Sequence, residues 1–491
     1  MGIVNIDLNT SILNENELNL SSAHGGIDDS AISDKMFGLN FLSSFENCDG
    51  ELIGSTYKEI ISALKGERDL GGIAYSQGTS HGNLRFPGGT LTEQFYAEAG
   101  AKLCIDAPVN YAGKPGVSAK QFLDFCAETG RDMSQVMPTW RYLADGAKSA
   151  ESTAEISQFV SDLLLNATAQ GVNINSFEIG NEYWGNIRIK GIGNVRMTPE
   201  EYGAIAAQQA LLIQRAIEDF KLKYSDLIAS MGNWREPDIL VQLGSQNDDY
   251  QNIGNGKALR DSRIILDAFQ TTEHRAAVDG FVTHRYETHI DHVSDPYIKN
   301  KTFHFDALAP FLGDNGWKSL DEMTLSVSEW NVSQQSQETG LRSFSMVVAL
   351  MGEMTRLGVD SADFWSVAAR SNFPLAYFNQ RFSPNTEFDG LTFTGEAFRM
   401  MYESIIGLRP ISLFDKTGLV LTPRDGNILD LAAGNNLRTN IETFAGEQEV
   451  VIFLSNLSGE DDIINLDIGG MVGGSNFFAW ASVVKSTSGD P

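Results

Sequence analysis

From residue 35 onward the chain alternates between two textures. Short apolar runs bounded by Gly, Asn and Asp give way to longer stretches in which apolar residues recur every three or four positions. The first pattern predicts buried strands and the second amphipathic helices. Strands are predicted at 37–42, 83–86, 134–139, 176–181, 227–232, 280–284, 324–328 and 361–365, and the clearest helices at 152–169, 199–222, 258–269 and 341–357, with a last one from 394 to 402. Thr198, Pro199, Glu200 and Glu201 make a well-formed helix start: a cap, a proline at the first position, and acids on the positive end of the dipole.

Eight strand–helix alternations in one series predict an α/β fold, a closed (β/α)8 TIM barrel over residues 31–408. An open doubly wound sheet is disfavoured, since no GxGxxG follows a strand. Both ends of the chain differ from this middle. Residues 1–30 are polar, with short alternations that read as one or two edge strands. Residues 409–491 carry short runs at 427–431 and 449–454 that read as a smaller β-sandwich, which the N-terminal strands are expected to join. The stretch 485–491 has the composition of a linker.

A chain of 491 residues suits such a barrel with one smaller module. It contains no uninterrupted apolar run near the ~20 residues that span a bilayer, and no basic-then-apolar signal at its start. Thirty-six basic residues against 64 acidic ones give a formal charge of −28 without any basic block, which argues against nucleic acid or an anionic membrane as partner. Such acidity suits a protein kept soluble in salt, so an extracellular, secreted setting is expected. Cys48, Cys104 and Cys126 form no CxxC and no paired framework, leaving Cys104 with Cys126 as the pair that could bridge.

In a parallel barrel, function sits at the carboxyl ends of the strands. The fourth predicted strand ends in Gly180-Asn181-Glu182-Tyr183-Trp184 and the seventh in Ser328-Glu329-Trp330-Asn331, while Trp140, Trp234 and Trp365 fall at the ends of strands three, five and eight. Five of the seven tryptophans thus lie at predicted strand ends, where flat rings could stack on sugar faces. Taken alone, each acid could be an ordinary polar loop residue. Taken together they would face each other across the mouth, and glycosidic cleavage needs two such carboxylates. The aromatic neighbours of Glu182 suit an acid with a raised pKa, and Arg85 at the end of strand two suits a charged partner for Glu329. Glu178 has the same strand parity as Glu182 and reads as a structural carboxylate needing a partner such as Arg85.

Arg85 in Arg-Phe-Pro-Gly-Gly, Gly180-Asn181-Glu182, His284 with Tyr286, Glu329 in Ser-Glu-Trp-Asn, and Trp365 together resemble the clan A retaining glycoside hydrolases. The branches most similar in style contain arabinofuranosidases, xylosidases, β-glucuronidases and heparanase, and the resemblance spans about residues 35–405. It implies Glu182 as acid/base, Glu329 as nucleophile, Asn181 on the sugar 2-hydroxyl, Arg85 holding the nucleophile, and His284 and Tyr286 near both carboxylates. It also implies cleavage of β-glycosidic bonds in a polysaccharide or its oligosaccharides, and no cofactor. Trp140, Trp184, Trp330 and Trp365 complete the expected substrate-binding set.

Two readings of another class stay open: a carbohydrate-binding barrel without catalysis, and a metal-dependent hydrolase using His284, His289 and His292, near Asp291. Asp248 and Asp249 in the Asn/Gly-rich segment 246–256 could bind calcium, though without EF-hand spacing. Arg141, Arg188, Lys190 and Arg235 follow predicted strand ends and could meet anionic sugar substituents.

Overall fold

The computed structural model describes residues 2–7, 31–40, 55–65, 82–89, 91–96, 102–108, 116–185, 187–189, 193–244, 256–290, 293, 303–368, 372–378, 387–410, 428–430, 438–445, 450–456 and 462–467. In chain order the first strands are β1 (Gly2–Asp7), β2 (Gly38–Asn40), β3 (Asn83–Phe86), β4 (Asp132–Met137), β5 (Ile174–Ile179), β6 (Ile187–Ile189), β7 (Gly193–Val195), β8 (Asp238–Gln242) and β9 (Gly280–Glu287). There follow β10 (Thr324–Val332), β11 (Ser361–Phe364), β12 (Ala376–Phe378), β13 (Phe388–Leu391), β14 (Arg409–Pro410), β15 (Ile428–Asp430), β16 (Arg438–Ala445), β17 (Val450–Asn456) and β18 (Asp462–Asp467). Eight of these close a parallel barrel in the order β10-β11-β2-β3-β4-β5-β8-β9.

Around the barrel run α1 (Ser55–Lys65), α2 (Leu91–Tyr96), α3 (Ala119–Thr129), α4 (Ala150–Gln170), α5 (Pro199–Lys223), α6 (Ser225–Met231), α7 (Lys257–Asp267), α8 (Thr272–Ala276), α9 (Phe305–Asp314), α10 (Leu341–Arg356) and α11 (Phe393–Ile405). Helix α5 starts where its sequence directs. The Thr198 hydroxyl accepts from the Glu201 amide at 3.2 Å and the Glu201 carboxylate accepts from the Thr198 amide at 2.8 Å, with Pro199 at the first position.

One expected strand is corrected. Residues 227–232 lie almost entirely in α6, none of whose residues is buried, and the fifth barrel strand is β8, where Ile239, Leu240 and Val241 are buried. Both runs are short and apolar, and periodicity over so few residues does not separate a strand from a helical turn.

The core lies between the barrel's outer face and the helices. Trp330 on β10 is fully buried there, its ring 4.9 Å from Phe364 and 6.5 Å from Phe398 of α11. The barrel interior is different, because small polar groups line it. Asn83 donates to Ser134 Oγ at 2.7 Å and to Asp363 Oδ1 at 2.9 Å, and Ser176 donates to Ser134 at 2.8 Å. This layer borders a cavity of about 250 Å³ at the amino-terminal end of the barrel, which Lys35, Asp238 and Asp360 also line. Bulky branched side chains usually fill that space in such barrels.

Beyond the barrel, β16 pairs with β14, β15 and β17 in a four-stranded antiparallel sheet, and β1 pairs in parallel with β18. Helix α10 holds the four-stranded sheet through Arg356, which reaches Glu442 of β16 at 2.5 Å and Glu353 of its own helix at 3.2 Å. Gly352 leaves the space for this approach, since a Cβ there would stand 2.2 Å from the Glu442 carboxylate.

Candidate active site

The site is built on Arg85, whose side chain is entirely buried in the barrel. Its Nε and Nη2 donate to the two oxygens of Glu178 at 2.6 and 2.7 Å, Nη2 also to Asn181 Oδ1 at 2.7 Å, and Nη1 to Glu329 Oε1 at 2.8 Å. One planar guanidinium thus joins β3 to the ends of β5 and β10 by charge-assisted bonds. Burial alone would lower its pKa, but Glu178 and Glu329 raise it above the ordinary arginine value. Glu178 is held below the usual carboxylate range, because Arg85 and His284 outweigh its burial.

Two irregularities in the strands bring the acids into reach. At the end of β5, Gly180 adopts φ 76° and Glu182 φ 46°, so the chain leaves the strand sharply and turns Asn181 and Glu182 toward the axis. A Cβ on Gly180 would come within 2.9 Å of Tyr202 and 3.1 Å of Thr139. On β10 the register slips between Val327 and Glu329, leaving Ser328 as an extra residue.

Glu329 is 5% exposed, and its second oxygen accepts from the Tyr286 hydroxyl at 2.8 Å. His284 Nδ1 stands 3.1 Å from Glu182 Oε1 and 3.5 Å from Glu329 Oε2. One oxygen of Glu182, one nitrogen of His284 and one oxygen of Glu329 lie within 4.8 Å of one another.

Desolvation lowers the His284 pKa, but Glu329, Glu178 and Glu182 together push it up to about 9. The expectation that Glu182 has a raised pKa is corrected. Burial does raise it, but the hydrogen bond and charge of His284 outweigh burial and hold it below the ordinary value. Both shifts favour the proton on the imidazole rather than on Glu182. Behind that ring, the Gln242 amide stands 3.3 Å from Nε2, and its buried Oε1 has no hydrogen-bond partner. A protonated ring is best met by that oxygen, so the amide is read with Oε1 toward Nε2.

The tryptophans divide. Trp184 is partly exposed, with its ring 6.2 Å from His284, and Trp365 is partly exposed, with its ring 6.0 Å from Tyr286, so both flank the acids. Three others do not serve the mouth. Trp330 follows Glu329 and faces outward into the core; Trp140 is buried in a short turn after β4; Trp234 precedes β8, at the opposite end of the barrel.

The basic candidates are engaged or misplaced in the same way. Arg141 pairs with Glu155, and Arg235 meets Asp132 at the start of β4. Lys190, His292, Asp291, the segment 246–255, Cys48 and the side chain of Arg188 lie outside the described residues. Cys104 and Cys126 are free thiols rather than a bridge.

A metal site of three histidines is not formed by the part that is described. His289 is half-exposed beside Glu338 at 3.4 Å, away from the His284 contacts. Glu182, His284 and Glu329 could together offer ligands to a cation. Their lone pairs and protons are already matched to one another, to Tyr286 and to Arg85, whose positive charge would repel a cation.

Gln242 and the buried Glu93 are the site-supporting residues that sequence reading missed. Gln242 ends an unrecognised strand, and Glu93 follows the Arg-Phe-Pro-Gly-Gly run with no local signal.

No known family matches the chain by sequence profile, and no curated protein matches it by sequence. Solved structures similar to it include a family 51 α-L-arabinofuranosidase from Bifidobacterium longum, with 12% identity, 95% of this chain and 88% of that chain covered, and a TM-score of 0.56. A GH51 arabinofuranosidase from Xanthomonas axonopodis pv. citri shows 15% identity, coverage of 90% and 86%, and a TM-score of 0.50. A conserved exported protein from Bacteroides fragilis shows 12% identity, coverage of 90% and 91%, and a TM-score of 0.52. At these identities the likeness is one of fold.

Proposed function

We propose that this chain is a retaining glycoside hydrolase acting on a polysaccharide or its oligosaccharides at β-glycosidic bonds, with Glu329 as nucleophile and Glu182 as acid/base. The observation that carries this is the pair of facing acids, with carboxylate oxygens within 4.8 Å, tied to one histidine. Retaining enzymes hold their carboxyl groups about 5–5.5 Å apart and inverting ones about 6.5–9.5 Å, so this closeness supports double displacement. The fold shared with two arabinofuranosidases supports the substrate class.

In this reading Arg85 and Tyr286 orient one oxygen each of Glu329, leaving a lone pair to attack the anomeric carbon. The C–O bond to the leaving group breaks as the bond to Glu329 forms. Glu182 takes the His284 Nδ1 proton and passes it to the leaving oxygen, which leaves Glu182 ionised again. Timing follows from charge. Glu329 is foremost among the groups that raise the His284 pKa, and esterification removes that negative charge, so the imidazole releases its proton as the attack proceeds. Water then attacks the anomeric carbon, its proton passing to Glu182 and back to His284, while the bond to Glu329 breaks and frees that carboxylate. Asn181, held by Arg85, supports the sugar 2-hydroxyl.

The test is a purified-enzyme screen on plant and marine polysaccharides, with the first-formed anomer read by NMR. Glu329→Gln is expected to abolish turnover, and Glu182→Gln to spare only substrates with good leaving groups. Full activity in both variants, or an inverted first product, overturns the reading.

A further inference from the structure

Glu93, the third residue of α2, is fully buried and takes no part in the chemistry above. Its partners are not cations but the ends of two barrel strands. The carboxylate accepts from the Thr139 amide at 3.1 and 2.9 Å, the Trp140 amide at 2.9 Å, the Asn181 amide at 3.3 Å and the Thr139 hydroxyl at 2.8 Å. Those amides lie where β4 and β5 leave the sheet, so they have no neighbouring strand to satisfy them.

Four donors need about four lone pairs, which a carboxylate offers and a carboxamide does not, since half of its polar end is an NH2 donor. An unpaired buried acid is costly to a fold. Desolvation, against which these hydrogen bonds work, leaves the Glu93 pKa at about 7.

What the clamp holds is specific. Asn181 gives its amide to Glu93 and its side-chain oxygen to Arg85, and the next residue is Glu182 in its left-handed conformation. We propose that Glu93 is a positioning residue for the glycosidase reaction: by fixing the Asn181 backbone it sets the reach of Glu182 and the place of Asn181 beside Arg85. This rests on the functional reading above.

Glu93→Gln and Glu93→Asp would be compared with wild type by steady-state kinetics and by hydrogen–deuterium exchange. Misplacement on the order of 1 Å costs about 10²-fold, so Glu93→Gln is expected to lose roughly that in kcat with KM nearly unchanged. Exchange should quicken in residues 137–142 and 179–185 while the other barrel strands keep wild-type protection, and Glu93→Asp should recover part of both effects. If Glu93→Gln does not fold, Glu93→Asp carries the comparison.

Unchanged kcat and unchanged local exchange overturn the proposal. So does a uniform loss of protection across the barrel, which marks Glu93 as structural only. A wild type inactive on every substrate sinks the glycosidase reading instead, and exchange in the two segments then still decides whether the clamp exists.

Discussion

Ser328 and Glu329 are adjacent in sequence, yet both side chains point into the barrel: Ser328 Oγ donates to Glu178 Oε1 at 3.1 Å while Glu329 accepts from Arg85 at 2.8 Å. A regular strand would send them to opposite faces. The extra residue in β10 allows both, and Trp330 still faces the core.

Their substitutions should therefore behave differently from their position in one motif. Ser328→Ala removes one hydrogen bond and is expected to cost about 1 kcal/mol in chemical denaturation, with turnover largely kept. Ser328→Leu forces volume against Glu178 and its pair with Arg85, and overpacking costs about 1–3 kcal/mol. Initial rates should fall sharply in the leucine variant only.

Arg85→Met leaves two buried carboxylates without their guanidinium, and breaking a buried pair costs about 3–5 kcal/mol. Adding Glu178→Gln should restore much of the melting temperature and none of the activity. Recovery of activity in the double variant would show that Arg85 serves only to neutralise Glu178.

The pH dependence has a defined sign. His284 is raised from its ordinary value of 6.5 to about 9, so its stabilisation is complete below about 6.5 and lost as pH rises through about 9. Glu182 and Glu178 are depressed, so theirs is present above the ordinary carboxylate value and lost as pH falls through their folded values. The kcat/KM profile should fall on the alkaline side with an apparent pKa of about 9 that belongs to the coupled cluster. His284→Gln should remove that limb and lower the plateau.

Trp330 and Trp365 should separate stability from binding. Truncating a fully buried tryptophan costs about 3–5 kcal/mol, so Trp330→Ala should be detected mainly by thermal unfolding. Trp365→Ala, at the mouth beside Tyr286, should raise KM with a small change in melting temperature.

The barrel was legible because seven of its strands carry apolar residues between clear boundaries, as Leu84 and Phe86 do in 83–86, and because caps such as Thr198 mark helices plainly. The fifth strand was missed because the 227–232 run resembles a strand and Asp238–Gln242 is short. Strand parity was the signal that could have excluded Trp330, given an inward Glu329. Trp140 and Glu93 depend on how loops fold back over strand ends, which no local pattern records. The Glu182 pKa was misjudged because its sequence neighbours are rings, whereas the group that sets it is His284, on another strand.

Arg85 draws its partners from residues 93 and 244 positions further along the chain. During synthesis the guanidinium and the first acid leave the ribosome long before Glu329, so no amino-terminal fragment that stops short of residue 329 can assemble the charged centre. A chain released before residue 329 is thus expected to be silent, and recovery of turnover after refolding to report closure of the last barrel strands rather than collapse of the first.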